Sequence, residues 1–144
     1  MQAIICDIDG TLADTSHRKH HLEKKPKDWD SWNSMMEYDQ PIYPVIQTVR
    51  LMSLYNTVIL CTGRQEKHRY ETIVWLARHN VKWHLLHMRK TGDYRDDTVV
   101  KEEMLDSILS QNYQVSVVID DRQKVVNMWR RRGLTCFQCA PGDF

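Results

Sequence analysis

Two pairs of aspartates stand out, because each pair follows directly on a run of apolar residues. Asp7 and Asp9 lie in the segment DIDGTL, and Asp120 and Asp121 follow the run VSVVI. Acids that end a buried strand are costly unless they bind a cation or do chemistry. If the two strands are neighbours, four carboxylates converge, and such oxygen ligands suit Mg²⁺. The alternative, for either pair alone, is a set of ordinary turn or helix-capping residues.

A second set of polar residues has the chemistry to hold a phosphate. Thr62, Gly63 and Arg64 follow the apolar run TVILC and provide a hydroxyl, a flexible turn and a guanidinium. Backbone N–H groups at such a strand-to-helix turn, together with an arginine, can bind phosphate oxygens. Lys101 lies near the start of a predicted helix, in VVKEE. Taken singly, these residues also fit an ordinary turn and a solvent-exposed helix position.

The elements that must position these residues follow from the hydrophobic pattern. Five short apolar runs alternate with longer segments of helical periodicity, and most runs are continuous, as in strands buried on both faces. This alternation predicts an α/β fold with a doubly wound, Rossmann-like sheet of five mainly parallel strands flanked by helices. Ligands of such sheets bind beyond the carboxyl ends of the strands. We expect strands at Ala3–Ile8, Thr57–Cys61, Trp83–Met88, Val115–Ile119 and Leu134–Gln138, and helices near Val45–Tyr55, Glu66–His79, Thr98–Gln111 and Gln123–Arg132.

Residues 13–43 interrupt this alternation and predict a small insertion with a short helix near Trp29–Tyr38, but no large cap. With 144 residues, we expect one domain over residues 1–144.

The stretch His17–Lys27 holds five Lys or Arg and one Glu, and Trp29 and Trp32 follow. Basic residues beside aromatic ones favour single-stranded nucleic acid. The alternative is a solvated loop whose tryptophans pack on the core.

The overall composition excludes several classes of protein. The formal net charge is +1, which excludes a strongly basic nucleic-acid binder but not a local basic patch. No apolar stretch approaches the length of a membrane helix, and we expect neither a signal peptide nor a membrane partner, but a cytoplasmic location.

The four cysteines include one C-x-x-C pair, Cys136 and Cys139. We expect buried free thiols rather than a zinc site, with redox chemistry as the alternative.

In chain order, DIDGTL, TGR, Lys101 and IDD resemble the four motifs of the haloacid dehalogenase-like phosphatases. Closer similarity links the chain to the 3′-phosphatase domain of phage polynucleotide kinase-phosphatases. That similarity is carried by GDYRDDTVVKEE from Gly92, by IDDR and the following VV and MWRR from Ile119, and by the final GDF. It is weakest in Ser16–Tyr43. No G-x-x-x-x-G-K-[ST] loop occurs, so we expect no 5′-kinase activity from these residues.

The resemblance implies a role for each acid. Asp7 would be the nucleophile that forms an aspartyl-phosphate. Asp9 would protonate the leaving oxygen and then deprotonate the water that hydrolyses the intermediate. Mg²⁺ would be held by Asp7, the backbone carbonyl of Asp9, Asp120 and Asp121.

The resemblance also implies how the phosphate is bound. Thr62, Gly63, Arg64 and Lys101 would form the phosphate cradle. Arg18, eleven residues after Asp7, matches a functional arginine of the phage domain and would be a further phosphate contact. The alternative for Arg18 is a solvent-exposed residue of a basic loop.

These expectations together predict a Mg²⁺-dependent phosphatase that removes 3′-phosphates from DNA or RNA ends. An insertion too small to form a lid leaves the site open to the end of a polymer. The alternative is a small-molecule (nucleotide) phosphomonoesterase of the same superfamily. A phospho-accepting receiver domain is disfavoured, because it would place its accepting aspartate after the third strand, where this chain has His87 and Met88. By resemblance, a homodimer formed through helical faces is a further expectation.

Overall fold

A five-stranded parallel sheet organises the computed structural model, which describes all of residues 1–144. Its strands are β1 (Gln2–Cys6), β4 (Thr57–Gln65), β5 (Leu85–Arg89), β6 (Gln114–Asp120) and β7 (Cys136–Gln138). The central strand β1 pairs with two neighbours, and each of these pairs with an edge strand, giving the order β5-β4-β1-β6-β7. The acid-bearing strands β1 and β6 are therefore neighbours.

Helices cover both faces of the sheet. They are α3 (Tyr43–Met52), α4 (Arg69–Arg78), α5 (Asp97–Ser110) and α6 (Gln123–Arg131). One core packs residues of α3 and α4 against the sheet, and the other packs residues of α5 and α6 against its opposite face. The strand β1 contributes to both cores, because Ile4 and Cys6 point to the first and Ala3 and Ile5 to the second. The predicted doubly wound α/β fold is confirmed.

The segment 13–43 begins and ends in a two-stranded antiparallel ribbon. Its strands, β2 (Ala13–Asp14) and β3 (Gln40–Pro41), pair Ala13 with Pro41 and Asp14 with Gln40. Between them lie two short helices, α1 (His20–Glu23) and α2 (Trp29–Ser34), and 3₁₀ turns at Ser16–Arg18 and Met36–Tyr38. The ribbon brings the two ends of the insertion together beside the end of β1.

Some element boundaries differ from the prediction. The strand β1 ends at Cys6 rather than at Ile8, because the carbonyl of Ile8 accepts from the turn residues Thr11, Leu12 and Ala13. Ile8 remains fully buried, which explains why the apolar run extends past the strand. The strand β4 continues to Gln65, and the helix after it starts with a 3₁₀ turn at Glu66–His68. None of the helices has the length and apolar content that crossing a bilayer requires.

Candidate active site

The four sequence motifs meet at the carboxyl edge of the sheet. Because β1 lies between β4 and β6, the residues that follow these three strands share one edge. The backbone N–H of Asp7 still donates to the carbonyl of Ile119 at 3.0 Å, which fixes the DIDGTL turn against β6. Gly10 has φ of +83°, and a Cβ atom there would clash with Oδ2 of Asp121. The glycine therefore allows the backbone of this turn to approach the second acid pair closely.

Three carboxylates form one buried cluster. Oxygen atoms of Asp7, Asp120 and Asp121 all lie within 4.8 Å of one another. Burial, followed by repulsion from Asp120, raises the pKa of Asp7 well above its usual value, and burial raises the pKa of Asp121. The hydroxyl of Thr11 lies 3.0 Å from Oδ2 of Asp7 and donates to it. A bound cation would relieve the repulsion among these oxygens, so the donor set fits Mg²⁺.

Lys101 bridges two of these acids from the second turn of α5. Its Nζ, almost fully buried, donates to Oδ1 of Asp7 at 2.8 Å and to Oδ2 of Asp120 at 3.0 Å. Burial alone lowers a lysine pKa, but attraction by Asp120 and Asp7 outweighs it and raises the pKa of Lys101 well above its usual value. Oδ2 of Asp120 also accepts from the indole Nε1 of Trp129 at 3.1 Å. Lys101 and Trp129 therefore both donate to Oδ2 of Asp120 and together fix the orientation of its carboxylate.

The carboxylate of Asp9 points away from this cluster. Oδ1 accepts from Nη2 of Arg64 at 2.6 Å and from Nη2 of Arg18 at 3.1 Å, and Oδ2 accepts from Nε of Arg64 at 3.1 Å. Burial raises the pKa of Asp9, but the charge and hydrogen bonds of Arg64, with the charge of Arg18, outweigh it and lower the pKa. The carboxylate of Asp9 is thus not part of the cluster formed by Asp7, Asp120 and Asp121.

Asp39, in the insertion, anchors both arginines and was not predicted. Its side chain is fully buried and accepts from Nε and Nη2 of Arg18 at 2.8 Å each, and from Nη2 of Arg64 at 3.3 Å. Nε2 of His17 lies 2.7 Å from Oδ1 of the same carboxylate. Two arginines and two aspartates thus form a buried, charge-balanced network. No periodicity or motif in the sequence marks Asp39.

The predicted phosphate-binding residues fall into two groups. Gly63 and Lys101 line a cavity above the acids. Arg18 and Arg64 lie behind Asp9 instead, and their N–H groups bind the aspartates of the network, the carbonyl of Trp32 and the hydroxyl of Thr72. Thr62 is fully buried, and its Oγ1 accepts from the N–H of Arg64 at 3.1 Å. Direct phosphate contact by Arg18, Thr62 and Arg64 therefore stays a prediction, and in this structure the side chains of the two arginines bind other groups of the protein.

The cavity has a volume of about 460 Å³. Its charged lining residues include three that the sequence analysis did not assign to the site, Arg89, Asp97 and Arg122. Asp97 lies between Arg89, whose Nη2 is 3.3 Å from Oδ1, and Arg122, whose Nη1 is 3.7 Å from Oδ2. Oδ2 of Asp97 is also 3.9 Å from Nζ of Lys101, one helical turn later. That i to i+4 spacing of Asp and Lys was a signal in the sequence that could have pointed to Asp97.

The cysteines agree only in part with the expectation of buried thiols. Cys6, Cys61 and Cys136 are buried, whereas Cys139 is exposed. The Sγ of Cys139 lies 3.6 Å from Oγ1 of Thr11, next to the carboxylate cluster. The expectation was therefore wrong for Cys139, which sits in the loop after the edge strand β7 rather than inside it.

Comparison with known proteins assigns the chain to a family. The profile of the family described as the polynucleotide kinase PNKP phosphatase domain matches residues 1–144. The chain belongs to this family. It is thus a haloacid dehalogenase-like phosphatase domain and a phosphomonoester hydrolase. A relative from Autographa californica nuclear polyhedrosis virus, described as a bifunctional polynucleotide kinase/RNA ligase, is 27% identical over 132 residues, which are 90% of this chain and 18% of the relative.

Solved structures agree with this assignment. A chain of the Pnkp1/Rnl/Hen1 complex superposes with a TM-score of 0.87 at 35% identity, over 99% of this chain and 46% of that one. A second structure, of the Pnkp1/Rnl/Hen1 RNA repair complex, gives a TM-score of 0.86 at 35% identity, with 99% and 43% coverage. A Thermotoga maritima protein described as a β-phosphoglucomutase shares the fold, with a TM-score of 0.61 at 13% identity, over 96% of this chain and 85% of that one. The chain thus spans 18% of the viral relative and less than half of the two chains from the Pnkp1/Rnl/Hen1 complex.

Proposed function

We propose that this phosphatase removes 3′-phosphates from nucleic acid ends through an aspartyl-phosphate on Asp7, as a single domain over residues 1–144. The observation that carries the proposal is the carboxylate of Asp7, held by Lys101 and Thr11 at the floor of an open cavity. The match to a polynucleotide phosphatase family over residues 1–144 supports a polynucleotide substrate. RNA ends are favoured over DNA ends. Both similar structures contain the Pnkp1/Rnl/Hen1 complex, and one of them describes it as an RNA repair complex.

The first step transfers the phosphoryl group to the protein. A carboxylate oxygen of Asp7 attacks phosphorus while the bond from phosphorus to the 3′ oxygen breaks, and the leaving oxygen takes a proton from Asp9. Arg64 and Arg18 keep Asp9 ionised in the free protein. The negative charge of a phosphate beside Asp9 raises its pKa again, which allows the carboxyl to carry the proton it donates.

The second step releases phosphate. Asp9 takes a proton from water, whose oxygen attacks phosphorus while the bond to Asp7 breaks and the carboxylate is restored. The ionised form of Asp9 that Arg64 favours suits this base role. Lys101 offsets negative charge on Asp7 and at the phosphate in both steps.

Mg²⁺ would be held by Asp7, Asp120, Asp121 and the backbone carbonyl of Asp9. When bound, it would offset the repulsion between the anionic nucleophile and the anionic phosphate. The pairing of Asp120 with Lys101 and Trp129 fixes one side of this site before the ion binds.

The test compares phosphate release from matched RNA and DNA oligonucleotides that carry either a 3′- or a 5′-phosphate, with and without Mg²⁺. We expect release from 3′ ends only, dependent on Mg²⁺ and faster on RNA. The matched control is Asp7→Asn, which removes the nucleophile but relieves repulsion in the cluster, so it should stay folded and release nothing. Equal rates on 5′ ends would overturn the 3′ assignment, and higher kcat/KM on free 3′-mononucleotides would favour the small-molecule alternative.

A further inference from the structure

The cavity extends from the acids to the insertion, beyond what a phosphate group needs. A volume of about 460 Å³ lies in the range of pockets that enclose small organic ligands. Its outer lining comes from the insertion and includes Lys19, Leu22, Lys27 and Trp29. A cavity with an acidic floor and an aromatic and basic mouth has room for the nucleoside that carries the phosphate.

The two tryptophans of the insertion differ in what they can bind. The guanidinium carbon of Arg18 lies 4.0 Å from the ring centre of Trp32, so this ring already stacks on a buried arginine. Trp29 is 54% exposed although it lines the cavity. Its nearest cation, Nζ of Lys27, lies 5.7 Å from the ring centre, on a flexible side chain. Trp29 therefore presents a large aromatic surface that the protein itself does not cover.

Hydrogen bonds on both sides fix the backbone that carries Trp29. Trp29 is the first residue of α2, and Asp28 caps the helix by accepting from the N–H of Ser31 at 3.1 Å and from its hydroxyl at 2.7 Å. The N–H of Asp28 donates to the carbonyl of His21 at 2.9 Å, which ties α2 to α1. Because this backbone is already ordered, only the side-chain torsions of Trp29 lose freedom when a ligand stacks on the ring.

We propose that Trp29 is the stacking platform for the base of the phosphate-bearing terminal nucleotide, and that Lys27 contacts the adjoining backbone phosphate. The proposal rests on the proposed polynucleotide phosphatase function and names a subsite of the same cavity. Stacking tolerates any base, because every base has a π face. An enzyme that processes ends of arbitrary sequence needs this kind of contact rather than hydrogen bonds to base edges. Phe144 also lines the cavity, but it lies between Lys19 and Arg122, whose cationic groups are 5.3 and 5.0 Å from its ring centre.

The experiment measures phosphate release by wild-type protein, Trp29→Ala, Trp29→Phe and Tyr55→Ala. Tyr55 is the control because it is an exposed aromatic residue that does not line the cavity. Two substrates are compared, a 3′-phosphorylated oligonucleotide with an ordinary terminal base and the same oligonucleotide with an abasic terminal sugar. We expect Trp29→Ala to raise KM about 5- to 150-fold on the first substrate, with kcat little changed, and to leave KM on the abasic substrate unchanged. Trp29→Phe keeps a stacking ring and should restore the wild-type KM.

Binding gives a second readout that does not depend on turnover. In an Asp7→Asn background, the Trp29→Ala change should weaken the Kd for the base-containing oligonucleotide by a similar factor and leave the abasic Kd unchanged. Equal KM and Kd for wild type and Trp29→Ala on both substrates would overturn the stacking proposal while the phosphatase proposal stands. Equal losses on both substrates would mean a structural role and would also overturn it. If wild-type protein releases no phosphate from any 3′ end, the proposed function itself fails.

Discussion

Arg64 holds both carboxylate oxygens of Asp9, with Nη2 2.6 Å from Oδ1 and Nε 3.1 Å from Oδ2. This pairing makes Asp9 an ionised acid in spite of its burial. It also turns the Asp9 carboxylate away from the cluster of Asp7, Asp120 and Asp121. The two aspartates of the DIDGTL motif, only two residues apart, therefore have opposite pKa shifts, which suits the separate roles proposed for them.

Replacing Arg64 should move the acid limb of the pH profile. In Arg64→Gln the attraction is lost while burial remains, so the pKa of Asp9 rises. Because hydrolysis of the aspartyl-phosphate needs ionised Asp9, whereas its formation needs protonated Asp9, we expect the acid limb of kcat to shift to higher pH, with a loss at neutral pH of no more than about 10²- to 10⁴-fold, the whole contribution of a general base. Arg64→Lys retains the charge without the two-pronged contact and should shift the limb less. Identical acid limbs in all three proteins would contradict the role assigned to Arg64.

Asp39 should matter for stability as well as for activity. Asp39→Asn removes the charge that Arg18 and Arg64 share, leaving two buried guanidinium groups under-neutralised. We expect a loss of about 3–5 kcal/mol in the free energy of unfolding, measured by urea denaturation, and a lower rate of phosphate release. Asp30→Asn is the matched control on the same insertion, because Asp30 is exposed and its carboxylate accepts no hydrogen bond. This variant should stay within about 0.5 kcal/mol of wild type. A stable Asp39→Asn protein would show that the network is dispensable.

Gly10 and Gly133 allow a backbone effect to be separated from a contact effect. Both have a positive φ, +83° and +82°, but a Cβ at Gly133 would meet nothing within 4 Å. Alanine at either position should cost about 1–2 kcal/mol of stability for the left-handed backbone. Only Gly10→Ala pushes against Asp121, so only this variant should lose most of its phosphate release and its stabilisation by Mg²⁺ in thermal melts. Equal activity of the two variants would show that the approach to Asp121 is unimportant.

The thiol of Cys139 should react slowly despite its exposure. Burial of its sulfur environment, partly offset by the hydrogen bond with Thr11, raises the pKa of Cys139 to about 11. Since the thiolate is the reactive form, alkylation by iodoacetamide at pH 8 should be on the order of 100-fold slower than for free cysteine. The rate should rise about tenfold per pH unit as pH approaches the pKa. Mass spectrometry locates the modified residue, and urea-unfolded protein, in which all four thiols react, is the control.

A rapid reaction of Cys139 at pH 8 would contradict this pKa. It would also reopen redox chemistry at the C-x-x-C pair. Burial raises the pKa of Cys136 to about 12, so both members of the pair are poor nucleophiles in the folded protein.

The fold could be predicted because its strands are marked by continuous apolar runs. The run Ala3–Ile8 shows burial on both faces, and its alternate residues do enter both cores. The convergence of Asp7 with Asp120 followed from the neighbouring positions of β1 and β6 in the sheet. Lys101 could be placed in the site only through the order of the motifs, since nothing local distinguishes it from other helical lysines.

The arginine network could not be predicted, since its contacts cross an irregular segment. Arg18 and Asp39 are 21 residues apart in an insertion without a helical or strand repeat, so no spacing rule connects them. The same limit explains the different roles of the two tryptophans. Trp29 and Trp32 differ in burial because one helical turn carries Trp32 onto Arg18, and this depends on where the insertion folds back.

The two-stranded ribbon at the base of the insertion has a consequence for how this enzyme can change. Here the segment tied by Ala13 and Pro41 supplies Arg18, which binds Asp9, and Asp39, which binds Arg18 and Arg64. The same segment supplies Trp29 at the cavity mouth. A transplant of residues 13–43 from a relative would therefore need to keep the aspartate and the arginine in register. Under the proposed roles of Asp9 and Trp29, a change in this segment would alter substrate contact and acid–base chemistry together.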